Sequence, residues 1–304
     1  MRFVHLAIHL VLILAVPPLL LGVINKTKAW FAGRLGPPLL QPYHDLGKLM
    51  QKGTVLSTTT TWVFLAGPVV SLVTTLLAAL LVPLGGHSAP VGFDGDFVLL
   101  VYALGLGRFF TIAAALDTGS SFEGMGGARE ATFACLAEPA LFFGLLVLAR
   151  ASGSYSLSTM LGPAVAATWS TAGAALAAVL LSWFVILLAE NSRIPFDDPN
   201  THLELTMIHE VMVLDHGGPP LGIILYSAAM KLFVFAAIVL GIAAPAGGLD
   251  PWLAWLVFLP ALLLLAVIIG VVESVIARLR LPQVPNLLVA ACLLAAFGAI
   301  LLVR

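Results

Sequence analysis

The chain has 304 residues and a formal net charge of -1, from 14 basic and 15 acidic residues. Hydrophobic residues make up 61 % of it, charged ones 10 %, and mean hydropathy is +1.08, whereas soluble domains carry about 25 % charge. That balance excludes an ordinary soluble enzyme and leaves a polytopic membrane protein. The near-zero net charge points to no particular partner, and no nucleic-acid partner is expected.

A helix needs about 20 apolar residues to cross about 30 Å of hydrocarbon. Eight runs qualify, at about 3–24, 62–83, 97–116, 131–150, 169–189, 219–243, 252–273 and 286–303. They are rich in Leu, Ala and Val and lack the polar alternation of barrel strands, so their backbones must satisfy themselves as helices. The expected fold is all-α: a single domain, 1–304, of about eight transmembrane helices in one bundle, with an amphipathic interfacial helix. The first run is longer than a signal-peptide core and has no small-x-small cleavage site, so it is expected to be retained. Placing Lys26, Lys28, Arg34, Lys48, Lys52, Arg129, Arg193, Arg278 and Arg280 inside, against Arg2, Arg150 and Arg304, puts both termini outside. Loops 25–61, 117–130 and 190–218 then form a cytoplasmic, partner-facing surface.

In chain order, the first loop runs Arg34-Leu-Gly36-Pro37 to Asp45-Leu-Gly-Lys48, and its apolar spacing predicts an interfacial helix around 39–50. Such a helix either rests on lipid phosphates through Lys48 or presents Arg34, Gln41, Tyr43, Asp45 and Lys48 to a soluble partner. The loop from Gly85 to Asp96 suggests no function. The third span carries Arg108, and the next loop carries Asp117, Arg129 and Glu130, further candidates for the docking surface. Gly124-Met-Gly126-Gly127 imitates a dinucleotide fingerprint but follows a hydrophobic span, not a strand of a βαβ unit. Cys135 and Cys292 have no paired spacing, so neither a disulfide nor a metal cluster is indicated.

Glu138 lies in the fourth span, Lys231 in the sixth, and Glu190 and Glu273 near the ends of the fifth and seventh. A charge at mid-bilayer costs about 2.5–3.5 kcal/mol on insertion scales, so such groups face the bundle interior, pair, or change protonation. Arg108 and Glu273 are expected near the headgroups, where long side chains snorkel. Glu138, Glu190, Lys231 and Arg108 form the candidate proton path.

The densest chemistry lies between Ala189 and Gly218, with six carboxylates and three of the seven histidines, His202, His209 and His216. Pro195 and Pro199 interrupt helix, Thr201-His-Leu-Glu204 reads as a capping box, and a helix is expected from there to about Asp215. His209-Glu210 has Val213 where a metal-binding HExxH needs its second histidine, so no metal site is expected. Arg193, Asp197, Asp198, His202, Glu204, His209 and Glu210 are expected to line a titratable, hydrated cavity.

Glu190-x-x-Arg193-x-Pro195-Phe196-Asp197, with the Arg34-to-Lys48 loop and eight spans, resembles the subunit 1 family of NADH:quinone oxidoreductase, respiratory complex I. Asp117-Thr-Gly-Ser, Arg129-Glu130, the string from Asp197 to Glu210 and Ala277-Arg-Leu-Arg-Leu281 resemble more closely the membrane subunits of formate hydrogenlyase-type and energy-converting nickel-iron hydrogenases. The resemblance implies a non-catalytic anchor and coupling subunit in the cell (inner) membrane. It would join hydrogenase-like large and small subunits of a peripheral arm, which carry iron-sulfur clusters and a nickel-iron site, to antiporter-like membrane subunits. No cofactor is expected in this chain. Quinone-reducing relatives tend to carry acids where this chain has Asn200 and His202, and an acid-aromatic pair where it has Met212 and Val213, which favours the hydrogenase branch over quinone binding. A self-sufficient ion transporter would show inverted repeats, and none is visible.

Overall fold

The computed structural model describes residues 2–197, 207–246 and 248–303. In order these form α1 (Arg2–Phe31), the surface helix α2 (Gln41–Met50), α3 (Trp62–Leu81), α4 (Asp96–Asp117), α5 (Ser121–Ser152) and the single turn α6 (Leu157–Met160). They continue with α7 (Pro163–Glu190), α8 (Gly218–Ala243), α9 (Pro251–Val275) and α10 (Val284–Val303). Among the described residues eight helices are long and apolar enough to cross a membrane, all but α2 and α6. The all-α polytopic fold read from composition is the fold observed, and the interfacial helix falls within the expected 39–50.

Two expectations change. The loop expected at 117–130 is mostly the first turns of α5, which starts at Ser121, so Arg129 and Glu130 sit on a helix rather than on a free loop. The helix expected from Thr201 to about Asp215 is not formed over its described part: residues 207–209 are irregular and Glu210–Val213 make one 3-10 turn. Tertiary bonds override the local signal there. The Asp197 carboxylate accepts from the Ile208 and His209 amides at 2.9 and 3.1 Å, and Arg129 donates to the Met207 carbonyl at 2.8 Å. Each bond uses a backbone group that a continuous helix would need.

Helix starts are fixed by side chains standing in for the missing backbone acceptors. Thr61 caps α3, and Asp117 at the end of α4 accepts from the Thr61 amide, the Thr61 hydroxyl and the Phe64 amide at 2.6, 2.8 and 3.2 Å. Asp96, fully buried, accepts from the Leu157 amide at 2.6 Å and the Ser156 hydroxyl at 3.1 Å, tying the start of α4 to α6. Within α1, Pro17 and Pro18 lack amide donors, which frees carbonyls one turn back. The carbonyls so freed are those of Ile13 and Leu14, and Tyr226 of α8 donates to that of Leu14 at 2.7 Å; Tyr43 of α2 donates to the next carbonyl along, that of Ala15.

Helices in lipid gain little from hydrophobic burial against one another, so close approach at small residues carries the packing. Gly144 of α5 lies under the Trp183 indole of α7, where a Cβ would meet the ring nitrogen at 1.8 Å. Gly270 of α9 lets Thr27 of α1 approach, and Ser182 of α7 donates to the Ala291 carbonyl of α10 at 2.7 Å. Helix α8 is the most enclosed of the eight, which places Lys231 inside the bundle. Eight crossings bring the start of α1 and the end of α10 to one face, opposite the face carrying α2 and the described stretches 190–197 and 207–218.

Candidate functional site

At the centre of the bundle the Arg108 guanidinium of α4 is shared among three carboxylates. Nη2 bonds both oxygens of Glu190 in α7 at 2.6 Å, Nη1 bonds Glu138 in α5 at 2.7 Å, and Nε lies 3.5 Å from Glu130, also in α5. Lys231 of α8 reaches the second oxygen of Glu190 at 2.7 Å. Four helices thus meet in one ionic cluster, with three acids against two bases. One guanidinium can reach three carboxylates at once because its nitrogens point in different in-plane directions, Nη2 to Glu190, Nη1 to Glu138 and Nε toward Glu130, a spread that a lysine ammonium does not supply.

The cluster divides two cavities. Toward the 190–218 segment lies a polar space of about 60 Å³ lined by Ser71, Thr74, Glu130, His209, Asn191 and Lys231, among others. Toward the outer wall lies a space of about 10 Å³ bounded by Leu104, Leu141, Phe235 and Glu138. Arg108 and Glu190 line both. Side-chain exposure falls from 45 % at Glu138 to 7 % at Glu190, so the row runs from the bundle wall to its interior. A cavity needs about 10–15 Å³ to admit a water, so the larger space of about 60 Å³ has room for water, yet it is far below the roughly 300 Å³ at which small-molecule pockets begin.

Arg108 and Glu273 do not snorkel, contrary to expectation. The Arg108 side chain is 10 % exposed and that of Glu273 fully buried, because partners on other helices compensate them. Glu273 of α9 pairs with Lys28 of α1 at 2.7 Å and lies 3.4 Å from Arg193. Arg278, just past α9, pairs with Asp197 at 2.9 Å. These contacts tie the 190–197 stretch to α1 and α9.

The candidate proton-path residues Glu138, Glu190, Lys231 and Arg108 are therefore brought together, and Glu130, assigned from sequence to the docking surface, joins them. Of the candidate cavity residues, His209 lines the polar space, Glu210 opens the 3-10 turn, and Arg193 and Asp197 anchor its rim. Asp198, His202 and Glu204 lie outside the described residues. Burial holds His209 below the ordinary histidine value, seconded by Lys231 and opposed by Glu130, Asp197 and Glu190. Burial against Phe64, 3.9 Å away and parallel, lowers His216 to about 4. Of the candidate docking residues, Asp117 and Arg129 turn inward onto backbone groups. Arg34, Asp45 and Lys48 are exposed, Gln41 bonds Asp45 at 2.8 Å, and Tyr43 reaches α1.

Sequence reasoning passed over Glu123, which is fully buried and accepts from the Asp215 amide at 2.9 Å. The available signal was Ser120-x-x-Glu123, a capping pattern at the true start of α5. The glycines that follow have a packing role: a Cβ on Gly126 would stand 2.3 Å from Val211, so the 3-10 turn rests directly on α5. Among the described residues no three His, Cys, Asp or Glu side chains gather as metal ligands.

An all-α bundle of eight apolar helices enclosing an ionic cluster around one arginine defines a multi-pass membrane protein. The chain belongs to the NADH dehydrogenase family, whose model matches residues 4–304. It is 32 % identical to hydrogenase-4 component C of Escherichia coli over 89 % of this chain and 86 % of that one. It is 29 % identical to formate hydrogenlyase subunit 4 of the same organism, over 94 % of each. Identity to the H subunit of NADH-quinone oxidoreductase from Burkholderia vietnamiensis is 23 %, over 90 % and 80 %. A chain of the membrane-bound sulfane sulfur reductase, an archaeal respiratory membrane complex, superposes with a TM-score of 0.81 over 98 % of this chain and 97 % of that one, at 24 % identity. That likeness establishes the fold.

Proposed function

We propose that this chain is the membrane anchor and coupling subunit of a complex I-like, energy-converting nickel-iron hydrogenase of the formate hydrogenlyase type. It holds a peripheral redox arm at the face carrying α2 and the 190–218 segment, and links that arm to ion translocation. The observation that carries the reading is Arg108 shared among Glu130, Glu138 and Glu190 with Lys231 against Glu190. Two cations among three carboxylates leave one acid in excess, so a proton or a charge arriving at the polar cavity redistributes the pairs. His209, Glu130 and Lys231 stand at the arm-facing cavity, and Glu138 at the bundle wall, where an adjoining membrane subunit would receive the change.

This chain's own residues do not fit redox chemistry. Cys135 and Cys292 are free and lie on different helices, so iron-sulfur and nickel-iron centres belong to partner subunits. Among the described residues the polar cavity beside the ionic cluster is only about 60 Å³, small for a quinone ring and its substituents, which supports this reading over the second, a quinone-binding subunit 1 of an NADH:quinone oxidoreductase. The proposal places the chain in the cell (inner) membrane, and the basic bias of the loops supports both termini outside. Mild-detergent purification of the tagged chain followed by mass spectrometry tests the proposal. A hydrogenase-like large subunit and antiporter-like subunits should accompany it. Recovery of an NADH-oxidising arm, or of no redox subunit, overturns it.

A further inference from the structure

On the face opposite the charged cluster, aromatic and imidazole rings from three segments converge. Gly85 and Gly86, at φ +55° and +75°, turn the α3–α4 loop against α9, where a Cβ on Gly85 would stand 3.3 Å from Phe258. That turn lays the His87 ring flat on Trp255, at 4.3 Å and 9°, and 4.5 Å from the His5 ring of α1. Trp255 is bonded to His5 through Nε1 and Nδ1 at 3.0 Å.

The bonds fix where the protons are. A carbonyl only accepts, so His87 Nδ1, 3.1 Å from the Gly85 carbonyl, carries the hydrogen, and Nε2 keeps a lone pair. That Nε2 is buried without a hydrogen-bond partner. An indole nitrogen only donates, so His5 Nδ1 is also unprotonated while it holds Trp255. The cluster therefore contains one spare proton acceptor and one whose protonation would break the α1–α9 bond. A cavity of about 700 Å³, lined by His5, His9, His87 and Ser88 among others, adjoins both.

We propose that His5, His87 and Trp255 form a proton-operated latch: protons from this face bind the two unprotonated ring nitrogens, His87 Nε2 and His5 Nδ1, and uptake at His5 Nδ1 releases the start of α1 from α9. The mechanism follows from donor and acceptor chemistry. A charged His87 can remain stacked on the indole face, but a charged His5 offers two donors and no acceptor, so the Trp255 bond cannot survive. Two imidazolium rings at this spacing also repel. The surrounding described groups supply little compensating negative charge. His9 lies within 3.5 Å of the Ala79 carbonyl, Asp250 caps α9 through the Trp252 amide at 3.0 Å, and Asp96 is committed to Ser156 and Leu157. Burial, with His5 adding to it, holds His87 below the ordinary histidine value of 6.5 against the opposing Gly85 and Leu84 carbonyls. The latch is closed while His5 Nδ1 keeps its lone pair for Trp255 and opens when that nitrogen takes a proton. The latch stands apart from the charge-cluster reading, because it shares no residue with it.

The test uses the full chain with its bound subunits in lipid nanodiscs. A protonated imidazole against an indole quenches its emission, so the Trp255 contribution, taken as wild type minus Trp255→Phe, should fall at least roughly twofold as pH drops below about 6.5. A nitroxide on Ser88→Cys, in a Cys135→Ser, Cys292→Ser background, should gain mobility over the same titration. His87→Gln should abolish the first effect and His5→Gln the second, each variant being checked for monodispersity. Emission that is flat between pH 8 and about 4, the range in which histidine charge changes, overturns the proposal. So does a quench that persists in His87→Gln and His5→Gln, or label mobility indifferent to pH.

Discussion

Replacing Glu190 with Gln keeps the volume and one acceptor oxygen but removes the charge that faces Arg108 and Lys231 at 2.6 and 2.7 Å. Both pairs become neutral-acceptor hydrogen bonds. Charge-assisted bonds are worth about twice neutral ones, so each conversion loses about 1 kcal/mol, about 2 kcal/mol together. Arg108 keeps Glu138 and Glu130, which limits the damage to folding and lets the subunit assemble. An equilibrium governed by this cluster then shifts roughly 30-fold. In vesicles containing the whole complex, ion uptake should fall by at least roughly tenfold, while electron transfer from the arm to an artificial dye continues. Glu138→Gln should act alike, and the double variant should be no worse than the poorer single one, as residues on one path couple rather than add. Unchanged gradients in both variants would refute the reasoning, and lost dye reduction would mean that the carboxylates serve assembly instead.

The remaining expectations are narrower. Gly126→Ala drives a Cβ to 2.3 Å from Val211 and 3.0 Å from the Ile208 carbonyl, so it should cost about 1–3 kcal/mol by overpacking and lower the unfolding temperature. An unchanged melting curve would mean that the 3-10 turn yields without cost. His216 is held near 4 in the fold against an ordinary 6.5, so the unfolded chain binds the extra proton and stability falls as pH drops from 6.5 toward 4. His216→Phe should flatten that segment of a stability-pH profile, and a parallel profile would reassign the acid sensitivity. Combined charge reversal, Lys48→Glu with Asp45→Lys, on the exposed face of α2 should release the peripheral arm while leaving this subunit in the membrane. A fully retained arm counts against docking on α2.

What could be read from sequence alone follows the physics of each signal. Span number and helical class are set by composition over stretches of about 20 residues, so they emerged nearly intact, as did α2 from its apolar spacing. Partnerships across the bundle are not encoded locally. Arg108 and Glu273 looked like snorkelling residues because nothing in one sequence says that Glu138 and Glu190, or Lys28 and Arg193, will stand beside them. The capping pattern at Thr201 and the periodicity after it are real local preferences, yet Asp197 and Arg129 capture the backbone at 207–209 from a distance. Glu130 was assigned to a loop because the hydrophobic run begins at 131, although α5 starts ten residues earlier. The Gly85–Asp96 loop carried no recognisable pattern, since its histidine acquires meaning only beside α1 and α9.

The two adjacent prolines of α1 make a flaw in a membrane span; the Tyr226 hydroxyl of α8 occupies it, and the Tyr43 hydroxyl of α2 sits on the carbonyl beside it. A surface helix fastened to a defect of this kind works as a handle. An intact span resists bending through every one of its own hydrogen bonds, whereas this one has surrendered part of its stiffness at a single level and lent one vacated acceptor, the Leu14 carbonyl, to α8. Force applied to α2 at the membrane surface is therefore delivered to the middle of α1 with a lever arm set by the length of a tyrosine.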